Sequence, residues 1–572
     1  MKKLLIGALL LSQLLLVSCS DNNKEKIVNM PINMAGENGK IINDYKIEML
    51  FKANSEIPYI SLNEGIDFLS KLRKEYKSSN SYYKLESNLN KATIKNEIGD
   101  SCIIDYDNQT ITFSDFDSLL SNNESGNLSL LNLKPFKKTF KITKSNYTKG
   151  NELKVDLNSY KSLDIYKYND KLYLPLSVFN SFFVNVHILS NLAYNFNGLF
   201  FACTDDLYEE DGDSTTLTNL GALFYNTEKK DEISLEFTNY YYDSLLIELN
   251  YLYGLKKDKN IESFDKFFID YGYKNDVLSK NVIKMDNATV YTLSNLNDFH
   301  TAILKPSFLY DFKRMSIDST KYSKETIEFH KIQDELNKYI KSYGIEDGIE
   351  NIDNTLFISF NSFQAINENE LYNYGDKPTL TNTATLFNYA YKYVLKNKDI
   401  KNIVVDLTYN IGGSSDALLY SLSTLIGDVS FCIENPVTSS YNNQTYKVDI
   451  NLDSKIDEND KSLKELGYNI IFLNSAHSFS SANAMPYLAK YNDSSVITMG
   501  EKTAGGACIS KPTITPIGSI YSLSGLMSIS TLKDGKIVNV DKGIEADYKI
   551  ERKDFYNRKN IVNYINNNIF KK

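Results

Sequence analysis

N-S-A-H-S-F-S-S-A-N-A-M-P-Y-L-A-K-Y-N-D-S-S-V-I-T-M-G-E-K-T-A-G-G-A-C, Asn474 to Cys508, is the stretch whose reading decides the fold. The apolar run Asn469-Ile-Ile-Phe-Leu473 ahead of it reads as a strand, Ala482 to Tyr491 as a helix, and Ser495-Val-Ile-Thr-Met499 as a second strand. Strand, small-residue turn, helix and strand make a βαβ unit. Small residues in the turn let a substrate come close to the backbone, and the helix aims its unpaired N–H groups at the same place. A serine there combines an exposed hydroxyl with amide donors, which nucleophilic catalysis requires. The plainer reading is a Ser/Asn cap on an ordinary crossover.

Outward from this unit the chain keeps an α/β rhythm from about residue 354. Thr355-Leu-Phe-Ile-Ser-Phe360 and Ile403-Val-Val-Asp-Leu407 read as buried strands, and Ala384 to Leu395 and Asp416 to Ile426 as helices. Alternation of this kind predicts a mostly parallel sheet covered by helices. Asn410-Ile-Gly-Gly413 follows one such strand and opens a helix, so its amides can face an anionic centre. It lacks the Lys-Ser/Thr of a phosphate loop.

Upstream, residues 206–345 read as helical, with apolar helical spacing over Ile233 to Tyr253, further signal over Ile261 to Tyr271 and Thr289 to Leu296, and a long amphipathic helix from Lys324 to Tyr343 stopped by Gly344. Residues 35–205 read as β-rich, with strands at Tyr45 to Phe51, Thr110 to Phe113, Lys154 to Leu157 and Leu172 to Leu176, a helix from Asn63 to Tyr76, and a hairpin around Asn197-Gly198. Residues 20–34 read as a polar tether. At the start, Met1-Lys2-Lys3 precedes an apolar run, Leu4 to Val17, that is too short to span a membrane and ends in Leu16-Val17-Ser18-Cys19. This resembles the lipobox of bacterial lipoproteins, which implies an exported chain, residues 1–19 as signal peptide, and Cys19 as a lipid anchor at the outer face of the cell membrane.

The formal charge of −9 is spread without a basic block, which argues against nucleic-acid binding. Cysteines 102, 203, 432 and 508 form no C-x-x-C pair, which argues against a structural zinc site and leaves disulfide pairing open beside free buried thiols. Of the four histidines, His187 reads as packing, His330 as a solvated helix residue and His477 as an exposed loop residue. His300 lies in Leu296-Asn-Asp-Phe-His-Thr301, at the end of the helical region.

Taken together, five short motifs in order carry a family resemblance. Leu296 to Thr301 resembles the D-x-H-T motif of the C-terminal-processing and tricorn-type serine peptidases, and Val405 to Gly413 their D-x-R-x-N-x-G-G strand and turn. Ser478-Phe-Ser-Ser-Ala482 resembles their S-x-S-A motif, Gly500-Glu-Lys-Thr-Ala-Gly-Gly506 their G-E-x-T-x-G turn, and Gly543-Ile-Glu-Ala-Asp547 their G-I-x-P-D. The resemblance implies a crotonase/ClpP-like ββα peptidase core over residues 346–572. It further implies Ser480 as nucleophile, His300 as general base, Asp541 as the acid with Glu501 as the alternative, and the amides of Gly412 or Gly413 and of Ser481 as oxyanion hole. The lysine of a Ser–Lys pair is missing from Ala504-Gly-Gly-Ala507, Thr408 replaces the arginine of the second motif, and Thr301 to Thr355 is too short for a PDZ domain. These departures point to the tricorn-like branch, a hydrolase needing no cofactor for catalysis and acting on peptides or proteins.

A second candidate site is Asp449-Ile-Asn-Leu-Asp-Ser-Lys-Ile-Asp-Glu-Asn-Asp460. Asp449, Asn451, Asp453, Asp457 and Asp460 fall where an EF-hand-type loop carries calcium ligands, although Ser454 and Asp460 replace its Gly and Glu. The rival expectation is a solvated acidic turn. Two rivals to the enzyme reading also stand: an inactive binding protein on a peptidase-like scaffold, and a crotonase-type isomerase or hydratase, for which no CoA-binding signal is found.

Overall fold

Alternation within three apolar runs builds the centre of the C-terminal half. In the computed structural model, strands Thr355–Ser359, Asn402–Asp406, Asn469–Asn474, Ile497–Gly500 and Tyr548–Lys549 pair in parallel, with Gly348–Ile352 antiparallel at one edge. Successive strand residues face opposite ways. Leu356, Ile358, Ile403, Val405, Ile470 and Phe472 therefore pack with helices Thr383–Lys396, Ser415–Ile426 and Ser481–Asn492. Phe357, Val404, Ile471, Leu473 and Met499 pack on the other face against helices Lys324–Tyr343 and Arg558–Tyr564. Burial on both faces is why these strands read as continuous apolar runs rather than as alternating ones.

The structure describes residues 24–75, 83–88, 90–120, 128–186, 190–208 and 216–570. Cys19 and His187 lie outside them. Beside the parallel sheet stands a seven-stranded antiparallel one, ordered Ala302–Lys305, Ile520–Lys533, Val429–Glu434, Tyr441–Val448 and Phe140–Thr148, with Cys508–Ile514 and Lys536–Asn539 also on Ile520–Lys533. The N-terminal region forms an eight-stranded and a five-stranded sheet. Among the described residues no helix is long and apolar enough to cross a membrane.

Three expectations about domains need correction. The tether ends early, because Lys26–Ala35 is a strand paired along Lys46–Phe51. Its alternating Met30, Ile32 and Met34 turn toward the core, a period-two signal hidden among polar neighbours. No boundary falls cleanly at 205, since one hydrophobic core runs from Ile32 to Tyr310 and takes in Cys508 and Tyr521. Nor does the N-terminal region stay apart, since Phe140–Thr148 adds a strand to the C-terminal antiparallel sheet. Helix Lys324–Tyr343 has the expected limits and ends on left-handed Gly344.

Candidate active site

Ser480 sits where strand Asn469–Asn474 has ended and helix Ser481–Asn492 begins, with φ 56° and ψ −123°. That backbone conformation is costly for a residue with a Cβ and persists only where its surroundings fix it. They do so here through the small polar residues of the turn. Ser475 Oγ donates to the Thr408 carbonyl at 2.5 Å and Ser478 Oγ to the Leu407 carbonyl at 2.7 Å, which ties the turn to the end of the neighbouring strand. From the other side Ser480 N–H donates to the Gly505 carbonyl at 2.8 Å, and Ala504 N–H to the Ser478 carbonyl at 2.9 Å. Gly412 lies against this turn with φ 102°, where an added Cβ would come within 2.6 Å of Ser480 Cβ, so only glycine fits.

His300 arrives from a different part of the chain. Helix Val282–Ser294 ends, the chain turns through left-handed Asn297, and His300 precedes strand Ala302–Lys305 on the antiparallel sheet. Its Nε2 lies 2.9 Å from Ser480 Oγ across 180 residues of sequence. Phe479 packs beside the imidazole at 4.5 Å between ring centroids. Burial holds the His300 pKa below the ordinary imidazole value, partly offset by the charges of Asp298 and then Asp541. The ring is therefore neutral near pH 7 and can accept a proton at Nε2.

Asp541 is near His300 but not bonded to it. Its Oδ1 accepts the N–H groups of Gly506 and Ala507 at 3.2 and 3.1 Å, and burial raises its pKa. His300 Nδ1 is buried without a hydrogen-bond partner among the described residues. Glu501, the alternative acid, is turned away. It pairs with Arg552 at 2.9 Å and accepts Ala476 N–H at 3.1 Å, so it braces the turn. Of the candidate oxyanion donors, Gly412 N–H is already given to Asn410 Oδ1 at 2.8 Å. Ser481 N–H opens its helix with no side-chain cap, and Gly413 follows at φ 134° with its carbonyl accepting Ser481 Oγ at 2.9 Å.

The two lysines that flank the Ala504 to Ala507 turn are engaged elsewhere. Lys502 Nζ lies 3.3 Å from Glu545, and Lys511 Nζ is buried 2.5 Å from Glu248. Near Thr408, which stands where the motif has arginine, an arginine arrives from far away in the sequence. Arg558 Nη2 donates to Asp406 Oδ2 at 2.7 Å and Thr408 Oγ1 to Asp406 Oδ1 at the same distance, so the strand end keeps a paired carboxylate. Sequence reading had no signal for Arg558, which sits beyond the last motif.

His477 corrects an expectation: it is fully buried rather than exposed. Its ring packs against Phe329 of helix Lys324–Tyr343, at 4.6 Å, and Tyr409, at 5.5 Å, and neither nitrogen has a hydrogen-bond partner among the described residues. Desolvation lowers its pKa to about 4. His330 is exposed, as its helix position implied. The Asp449 to Asp460 loop spends its oxygens on its own backbone. Asp449 accepts Asp453 and Ser454 N–H, and Asp460 accepts Ile450, Asn451 and Asp457 N–H. Asp453 and Asn451 likewise accept local amides. Among the described residues no group of three or more His, Cys, Asp or Glu side chains is arranged to hold a metal ion. Cys102, Cys203, Cys432 and Cys508 are all free thiols.

No curated protein sequence matches the chain. Its fold is similar to a solved structure of a putative peptidase from Parabacteroides merdae, at 16% identity and TM-score 0.38, covering 55% of this chain and 89% of that one. A lipoprotein from Streptococcus agalactiae aligns at 14% identity and TM-score 0.34, covering 57% and 94%. Mature CPAF aligns at 11% identity and TM-score 0.36, covering 58% and 95%. The family model "Peptidase family S41" matches residues 354–550, a span that holds Gly412, Gly413, Ser480 and Asp541 and leaves His300 upstream. Residues 354–550 are thus the part of the chain that is similar to peptidase family S41.

Proposed function

We propose that this protein is an exported serine peptidase, anchored to the outer face of a bacterial membrane through lipid on Cys19, that cleaves peptides or proteins through an acyl-enzyme on Ser480. The observation that carries the reading is the 2.9 Å approach of His300 Nε2 to Ser480 Oγ, joined to the strained backbone of Ser480. Ser480 Oγ attacks the scissile carbonyl carbon as its proton passes to His300 Nε2. The carbonyl oxygen becomes an oxyanion, held by the amides of Ser481 and Gly413. The C–N bond then breaks, with the His300 proton going to the leaving amine. Water, deprotonated by His300, attacks the acyl carbon, and Ser480 leaves with the proton. The neutral imidazole at ordinary pH and the pairing of Lys502 with Glu545 and of Lys511 with Glu248 favour His300 as base.

A fluorophosphonate probe tests the reading against that of an inactive binding protein. Labelling is expected in the wild type, with none in Ser480→Ala and a loss of about 10²–10⁴-fold in His300→Ala. An unlabelled, folded wild type would favour the binding protein.

A further inference from the structure

Two carboxylates approach His300, and the structure gives them different work. Asp298 is buried and spends both oxygens inside the turn that carries the histidine: Oδ1 accepts His300 N–H at 3.2 Å and Oδ2 accepts Thr301 Oγ1 at 2.6 Å. Thr301 Oγ1 in turn accepts Ser524 N–H at 3.1 Å, which fastens the turn to strand Ile520–Lys533. Asp541 instead holds the loop behind the nucleophile through Gly506 and Ala507. His300 Nδ1 is buried with no hydrogen-bond partner among the described residues.

We propose that Asp298 is the principal positioning residue of His300, fixing its backbone and balancing the imidazolium that forms in catalysis, while Asp541 positions the nucleophile loop. The inference rests on the proposed role of His300 as base. Other charged or titratable groups near the ring do not replace Asp298. Tyr253 and Cys508 are held neutral by burial, well above their ordinary pKa values. Lys259 acts on Asp541, and Asp298 exerts the stronger of the two carboxylate influences on His300. Asp298 reaches His300 through the backbone N–H and not through the ring, so it fixes where the residue sits and acts on the imidazolium through its charge, without taking the proton.

The test reads His300 without turnover. In the full chain carrying Ser480→Ala, the His300 ring is titrated by NMR, its signal assigned by loss in His300→Gln. Asp298→Asn is expected to lower the His300 pKa by about one unit, a tenfold change in proton affinity, and Asp541→Asn by less. In the active chain Asp298→Asn should lower kcat at least about tenfold with KM nearly unchanged, since it removes an interaction made in the transition state. A larger shift from Asp541→Asn, or no shift from Asp298→Asn, would overturn the proposal. If Asp298→Asn does not fold, Thr301→Val carries the test, because it frees Oδ2 and keeps the charge. Lowered kcat with unchanged His300 pKa supports the assignment, and unchanged kcat overturns it. The titration is independent of the proposed function, which stands or falls on whether His300→Ala abolishes labelling.

Discussion

Acidification should destabilise this protein through His477, and replacing that residue by Phe should remove the effect. His477 is fully buried against Phe329 and Tyr409, and neither ring nitrogen has a hydrogen-bond partner among the described residues, so its charged form has nothing to stabilise it. Its folded pKa of about 4 lies below the unfolded value of about 6.5. Between those two values the unfolded chain binds more protons than the folded one, so stability rises with pH across that window and is lost as pH falls through it. The full difference corresponds to about 3 kcal/mol, and moving from pH ~7 to ~5 should cost about 2 kcal/mol. Asp117 and Asp286 work in the opposite direction. Burial raises each to about 6, so the folded chain binds the extra proton there and acid favours it. The assay must therefore be differential: urea unfolding of wild type and His477→Phe at both pH values. The aromatic replacement keeps the packing with Phe329 and Tyr409, so the pH-dependent loss should shrink by about 2 kcal/mol in the variant. Equal pH dependence in the two proteins would show that His477 is solvated or partnered in solution, and the reasoning would fail.

Lys511→Ala should cost about 3–5 kcal/mol in urea unfolding, because it leaves Glu248 charged and buried, whereas Lys502→Ala breaks an exposed pair worth under about 1 kcal/mol. Lys502→Ala should also keep most of the peptidase activity, and an inactive but folded Lys502→Ala would return lysine to the mechanism. Gly412→Ala should slow probe labelling by about 10²-fold, since its Cβ would push on Ser480 Cβ, and a normal rate would mean the turn relaxes freely. The acid limb of the pH–rate profile should fall below about pH 6.5, because burial lowers the His300 pKa; a limb above that value would contradict the assignment. Cys19→Ala should leave the membrane fraction or accumulate as precursor, and normal processing with full membrane retention would refute the lipid anchor.

The parallel sheet was legible because its strands are buried on both faces, and helix Lys324–Tyr343 because it has a cap at Ser323 and a stop at Gly344. Ser480 and the glycines around it were legible because a strained turn and a close approach leave few residue choices. What sequence could not supply is long-range partnership. Strand Lys26–Ala35 looked like a tether because the run that leads into it, Asp21 to Lys26, is wholly polar. Phe140–Thr148 gives no local sign that its partner is Tyr441–Val448. The motif order placed Asp541 near His300, but only the fold shows that its Oδ1 accepts the Gly506 and Ala507 N–H groups and that Asp298 has the larger influence on His300. His477 was misread because exposure of a turn residue depends on what packs over it, here Phe329 from a helix about 150 residues upstream.

The central claim is that Ser480 is a nucleophile driven by His300. Intact-mass and peptide mapping of the full chain after fluorophosphonate treatment tests it most directly. The account predicts one adduct, on Ser480, formed in the wild type and in Lys502→Ala, and slowed by about 10²–10⁴-fold in His300→Ala. An adduct on another residue, or one that forms on Ser480 at the wild-type rate without His300, would contradict it.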